Sequence, residues 1–173
     1  MKKNGAKEGK VDIFLAGIGG QGILLASEII AQAALSAGYD VKKSEVHGMS
    51  QRGGSVTSCV RFGSNVYSPL IERGSADILI SFAPEEGRWY AAYLRKGGFF
   101  LRAGARLRGR LQNPRTFNIA VVGILSAHLD IPVRLWTDAI AANVPSGSFE
   151  ANKHAFFIGR ETGGANYDLR RKT

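Results

Sequence analysis

The sequence predicts an α/β fold, a single Rossmann-like domain with a mostly parallel sheet flanked by helices. Three observations predict it. Apolar runs at residues 11–16 and 76–82 are nearly unbroken, as in strands buried on both faces. A glycine-rich turn, GIGGQG at 17–22, joins the first run to a stretch of helical period. Strand-like and helix-like segments then alternate along the chain. The length of 173 residues, 45% hydrophobic and 21% charged, suits one domain and excludes disorder for most of the chain. A fold of this size hides roughly 70% of the surface of its unfolded chain, so the core needs no disulfide.

Each element has its own signal. Val11, Ile13, Phe14, Leu15 and Ala16 make a buried strand stopped by glycine. Ile23, Ala26, Ile30, Ala33 and Ala37 then fall on one helical face, with Glu28, Gln32 and Ser36 on a polar row and Gly38 placed to end the helix. A short second strand is expected over 39–43, followed by a loop over 44–54 without apolar period. Residues 55–62 alternate as a strand, 69–74 connect, and 76–82 form the next buried strand. Pro84, with Glu85 and Glu86 beside it, opens a helix expected to run to about Leu94 and to stop before Gly97 and Gly98. A short strand covers 99–101, and the basic stretch 103–115 has no clear period. Helices are expected over 117–129, 133–142 and 149–158, with a polar, frayed tail from Gly159. The domain boundaries follow as a basic extension at 1–10, the domain at 11–160 and a tail at 161–173.

One cysteine, Cys59, excludes a disulfide framework, a CxxC zinc site and a self-contained iron–sulfur cluster. In a predicted strand it reads as a small buried hydrophobe. No segment approaches the length of a membrane span, and the expected location is cytoplasmic. The formal charge of +9 raises nucleic acid, anionic cofactors and acidic partners together. The cluster Arg95, Lys96, Arg102, Arg106, Arg108, Arg110 and Arg115 lacks interleaved stacking aromatics, so a solvated or protein-facing role is favoured over nucleic acid. His128 and His154 have no partner at metal spacing. Trp89, Tyr90 and Tyr93 are read as core rather than as a partner-facing patch.

Two segments carry chemistry. Gly17, Gly19, Gly20, Gln21 and Gly22 stand between strand and helix, where backbone N–H groups at a helix N-terminus can hold a phosphate. Asp40 and Glu45 bracket the position of a ribose-binding acid, which keeps a dinucleotide site open beside a packing role or another anion. The second segment, 45–54, combines Glu45, His47, Gln51 and Arg52 with Gly53 and Gly54, which let the backbone approach a ligand. A solvated loop with Arg52 paired to Glu45 is the plainer reading. His47, with no paired carboxylate or nucleophile, is better described as a polar contact than as a general base.

Taken together, GIGGQG, EVHGMSQRGGSV at 45–56, Val60-Arg61, SPLI at 68–71, Ala76-Asp77 and Pro84-Glu85 with Arg88 resemble the gamma-type domain of 2-oxoacid:ferredoxin oxidoreductases. Within that family the likeness is to the small (beta) subunits that act on indolepyruvate. Ala83 and Gly87 depart from the family pattern, as does the compressed basic stretch 103–115. The resemblance implies a large subunit carrying thiamine diphosphate and iron–sulfur clusters, with ferredoxin as acceptor. It implies oxidative decarboxylation of an aryl 2-oxoacid with coenzyme A. Glu45, His47, Gln51, Arg52, Gly53 and Gly54 are then the loop facing the active site or coenzyme A, and Gly17 to Gly22 a phosphate-binding turn. No nucleic acid, membrane or metal ligand is expected for this chain. The alternative is a stand-alone dinucleotide-binding redox or sensor protein using NAD(P) or FAD.

Overall fold

The computed structural model describes residues 9–47 and 53–164. Five strands form one sheet: β1 (Val11–Ile18), β2 (Asp40–His47), β3 (Ser55–Gly63), β4 (Ala76–Ser81) and β5 (Leu94–Arg102). Their spatial order is β2-β3-β1-β4-β5. β1 pairs parallel with β4, and β4 with β5, whereas β3 runs antiparallel to both β1 and β2. Four strands therefore point one way and β3 alone opposes them. The sheet is mostly parallel in direction and mixed in pairing.

The two faces are covered unequally. Ile13, Leu15, Val56, Val60, Ile78, Ile80 and Leu101 face a thick helical layer. It contains α1 (Ile23–Ser36), α4 (Phe117–Ser126), α5 (Val133–Asn143) and α6 (Phe149–Gly164). All ten residues of α4 are buried, as expected for a helix apolar on every side. Phe14, Ala16, Cys59 and Leu79 face the other way, under α2 (Pro84–Trp89), a 3-10 turn (Ala91–Tyr93) and the segment containing Ile71. α1 ends as the glycine predicted. Gly38 takes φ +88° and donates to the Leu35 carbonyl, and Tyr39 donates to that of Ala34, a Schellman closure.

Several boundaries differ from the sequence reading. β2 does not end near residue 43. Ser44, Glu45, Val46 and His47 pair with Cys59, Ser58, Thr57 and Val56, so the start of the expected loop is strand. The hairpin ladder supplies partners that polar residues alone do not announce. α2 stops at Trp89, because Leu94 already pairs with Ala76 and the sheet takes the residues of a longer helix. β5 accordingly starts at Leu94 and includes Gly97 and Gly98, with a register shift against β4.

α4 ends at Ser126, not Leu129. Ala127 and His128 donate to carbonyls three residues back, and the Arg160 guanidinium caps the Ser126 carbonyl at 2.6 Å. α6 runs through Gly164, past the expected end at Ile158, and so takes in residues 161–164 of the expected tail. Its glycines are contact points: a Cβ at Gly159 would overlap the Ala120 carbonyl, and one at Gly123 the Phe156 carbonyl. The stretch 103–115 contains α3 (Ala105–Arg108) and leads into a 3-10 turn (Pro114–Thr116). Part of its charge is used internally. Arg108 lies 3.5 Å over the Phe117 ring, and Arg110 binds Glu161 at 2.7 Å and Thr162 at 2.6 Å.

The aromatic trio divides. Tyr90 and Tyr93 pack on Phe14 with ring centroids at 5.3 and 4.4 Å, as core residues should. Trp89 is 80% exposed, against the core assignment: it is the last residue of α2, and Tyr90 and Tyr93 after it take the places on Phe14. Cys59 is buried in β3, and burial pushes its thiol pKa up, away from nucleophilic use. Among the described residues no helix is long and apolar enough to cross a membrane.

Candidate functional site

The carboxyl ends of β1, β2, β4 and β5 and the start of β3 share one edge of the sheet, where open α/β folds bind ligands. The glycine turn stands there because β1 runs directly into it. Gln21 closes it from both sides: its N–H donates to the Ile18 carbonyl at 3.1 Å, and its Oε1 accepts from the Ile18 N–H at 2.9 Å. Gly17 is set by packing, since a Cβ there would lie 2.9 Å from Ile23 Cδ1 and from Phe82 Cβ. Gly20, at φ +92°, has open space before it. Gly22 caps α1 at φ 76° and ψ 28°.

Asn118, on α4, completes the turn. Its Nδ2 donates to the Gly22 carbonyl at 3.3 Å, and a Cβ on Gly22 would overlap this amide. Nothing in the sequence reading singled it out. The one signal available was an amide in an otherwise apolar helix.

The second glycine segment meets the first. The Gly19 N–H donates to the Gly54 carbonyl at 2.9 Å, so the turn and the end of the hairpin connection are joined by a backbone hydrogen bond. Glu45 lies near the end of β2, and its carboxylate pairs with Lys43 Nζ at 2.8 Å. Lys43 also binds Glu28 of α1. Burial alone would depress the Lys43 pKa, but the two carboxylates outweigh it and raise it above the usual lysine value. His47 pairs with Val56 in the ladder, and its strand position is what is described. Gln51 and Arg52 lie outside the described residues, as does the expected Arg52 pairing with Glu45.

Asp40 does not join the site. It opens β2 opposite Gly63, at the far edge of the sheet. Its carboxylate accepts from Lys42 Nζ at 2.7 Å and from the Val66 N–H at 2.8 Å, which hold its pKa below the ordinary aspartate value. A dinucleotide unit places the strand carrying the ribose acid directly beside the first strand. Here β3 occupies that position.

The sparsely covered face brings together groups that the sequence named separately. Ser55 Oγ donates to Glu86 Oε2 at 2.6 Å and lies 3.1 Å from the Tyr90 hydroxyl. These residues border a cavity of about 370 Å³ together with Arg73, Trp89 and Tyr93. A second cavity of about 380 Å³ lies outside the ends of β4 and β5, between Arg88, Phe100 and Arg102. Arg102 stacks 4.4 Å over the Phe100 ring.

Residues 12–106 match the family model for pyruvate ferredoxin/flavodoxin oxidoreductase. The indolepyruvate oxidoreductase subunit IorB of Pyrococcus horikoshii is 53% identical over 87 residues, which are 50% of this chain and 43% of that protein. The chain thus covers less than half the length of that relative. The ketoisovalerate oxidoreductase subunit VorA of Methanothermobacter marburgensis is 32% identical over 122 residues, 69% of this chain and 25% of its own length. Among solved structures, the gamma subunit of a keto/oxoacid ferredoxin oxidoreductase from Geobacter sulfurreducens superposes with a TM-score of 0.77 at 25% identity. It covers 90% of this chain and 99% of that one.

Proposed function

The chain belongs to the pyruvate ferredoxin/flavodoxin oxidoreductase family, and from that premise we propose that it is the small, cluster-free subunit of a thiamine-diphosphate-dependent 2-oxoacid:ferredoxin oxidoreductase. The substrate is indolepyruvate or another aryl 2-oxoacid. The carrying observation is the 53% identity to an indolepyruvate oxidoreductase subunit. The family match also takes in both glycine segments and α2. The assembly cleaves the carboxylate from the 2-oxoacid, joins the acyl group to coenzyme A and passes two electrons to ferredoxin. Thiamine diphosphate supplies the carbanion chemistry from the larger subunit, which also holds the clusters. A chain with one cysteine, itself buried, has no ligand set for a cluster.

This chain's own contribution is positional. Gly17, Gly19, Gly20, Gln21 and Gly22 present the N-terminus of α1 to a phosphate of coenzyme A or of a neighbouring cofactor. Glu45, His47, Gln51, Arg52, Gly53 and Gly54 are the residues we assign to the active site or coenzyme A, with Arg52 as a bidentate anion partner that lysine would not fully replace. Mixing the chain with its larger subunit should restore ferredoxin reduction on aryl 2-oxoacids in preference to branched-chain ones, and the chain alone should give none. Turnover without a partner would sink the proposal. So would a rise in thermal midpoint produced by NAD(P)H or FAD and not by coenzyme A, which belongs to the dinucleotide alternative.

A further inference from the structure

On the α2 face, none of the described residues covers Trp89. Trp89 stands 80% exposed at the end of α2, the less covered face of the sheet beneath it. Its mounting is rigid, because Tyr90 and Tyr93, the next aromatic residues, are packed on Phe14. A cavity lies on each side: one shared with Ser55 and Glu86, the other with Glu85 and Arg88. Leu70, 65% exposed, lies on the segment that crosses the same sheet face. Arg61, whose guanidinium binds the Ser68 and Leu70 carbonyls, ties that segment to β3. An exposed indole between two pockets is the kind of residue that dominates interface energy once a partner covers it.

We infer that this face, centred on Trp89, seats the larger cofactor-bearing subunit; the assignment rests on the subunit reading above. Two observations favour that occupant over a second copy. A chain of formal charge +9 repels its own kind at close approach. In the relative VorA the matched stretch is 25% of a longer polypeptide, so there the same domain has additional chain of its own protein as neighbour. The partner surface must offer an apolar slot for the indole, with polar groups that meet the Glu85–Arg88 ion pair beside it.

The test measures the affinity of the full chain for the purified larger subunit by calorimetry. Trp89→Ala is compared with Leu35→Ala, which alters an exposed leucine on α1 in the opposite layer. Trp89→Ala should weaken binding about 30-fold with an unchanged melting profile, and Leu35→Ala should leave it as it was. The chain has two tryptophans, and Trp136 is fully buried. In a fluorotryptophan-labelled wild-type chain, the Trp89 resonance alone should therefore shift and lose contact with solvent on binding. Wild-type binding that Trp89→Ala leaves intact, or a Trp89 resonance that stays solvent-exposed, overturns the inference and leaves the subunit reading standing. Failure of the wild-type chain to bind overturns the subunit reading itself. A homodimer dissolved by Trp89→Ala assigns the face to a second copy and overturns the inference.

Discussion

Arg61 grips the buried carboxylate of Asp12 with two nitrogens, Nε to Oδ1 at 3.0 Å and Nη2 to Oδ2 at 2.9 Å. Asp12 is 2% exposed, and the pair spans neighbouring strands directly opposite each other in the register. Removing Arg61 leaves the Asp12 charge buried with, among the described residues, Lys10 at 3.0 Å as its remaining ion-pair partner. Arg61→Met should cost about 3–5 kcal/mol in urea unfolding, and Asp12→Asn in the same chain should recover part of it. Equal losses from the single and double variants would show that the pair acts only as packing.

Gly159→Ala should destabilise by about 1–3 kcal/mol or more, because its methyl would enter the Ala120 carbonyl across the α4–α6 contact. Gly164→Ala, at a position with nothing nearby, should be neutral or slightly stabilising. Thermal melts of the two variants side by side check the contrast.

His128 has its Nε2 buried without a partner among the described residues, and its ring lies edge-on to Phe99 at 4.9 Å. Burial lowers its pKa below the ordinary 6.5. The unfolded chain therefore takes up a proton near pH 6.5 that the folded chain resists, so this part of the stability is full above that pH and lost on acidification. Because the ring is only partly buried, the slope is well below the one-proton limit of about 1.4 kcal/mol per pH unit. Denaturant midpoints between pH 5 and 8 should show that slope in the wild type and lose it in His128→Gln.

Gly22→Ala should be destabilising by roughly 1–3 kcal/mol, since the residue has φ +76° and its methyl would meet the Asn118 amide. Truncation by Asn118→Ala in the same chain removes the clash but not the backbone strain, and should recover only part of the loss. Complete recovery would show that the left-handed conformation carries no cost.

The buried strands and the glycine turn were legible because each is a local pattern: an apolar run, a change of period, a row of glycines. Ser44 to His47 were not, since a polar stretch becomes a strand only when β3 lies alongside it. Gly159 marks the start of the tail in the sequence reading, yet its meaning is a close approach to a helix some forty residues earlier in the chain. The same holds for Asn118, which reaches the turn across 96 residues of sequence. The site's glycines could be named in advance, but their joining through Gly19 and Gly54 could not. Exposure of Trp89 depends on which of three neighbouring aromatic residues reach Phe14, and composition does not encode that.

β2 and β3 are consecutive and antiparallel, and the link between them leaves from the same end of the sheet as the glycine turn. Its length and chemistry can drift from one descendant to the next while the helical layer keeps its packing. The reversed strand thus gives the scaffold an interchangeable fingertip: the sequence at the tip of one hairpin can change without the fold having to be solved again.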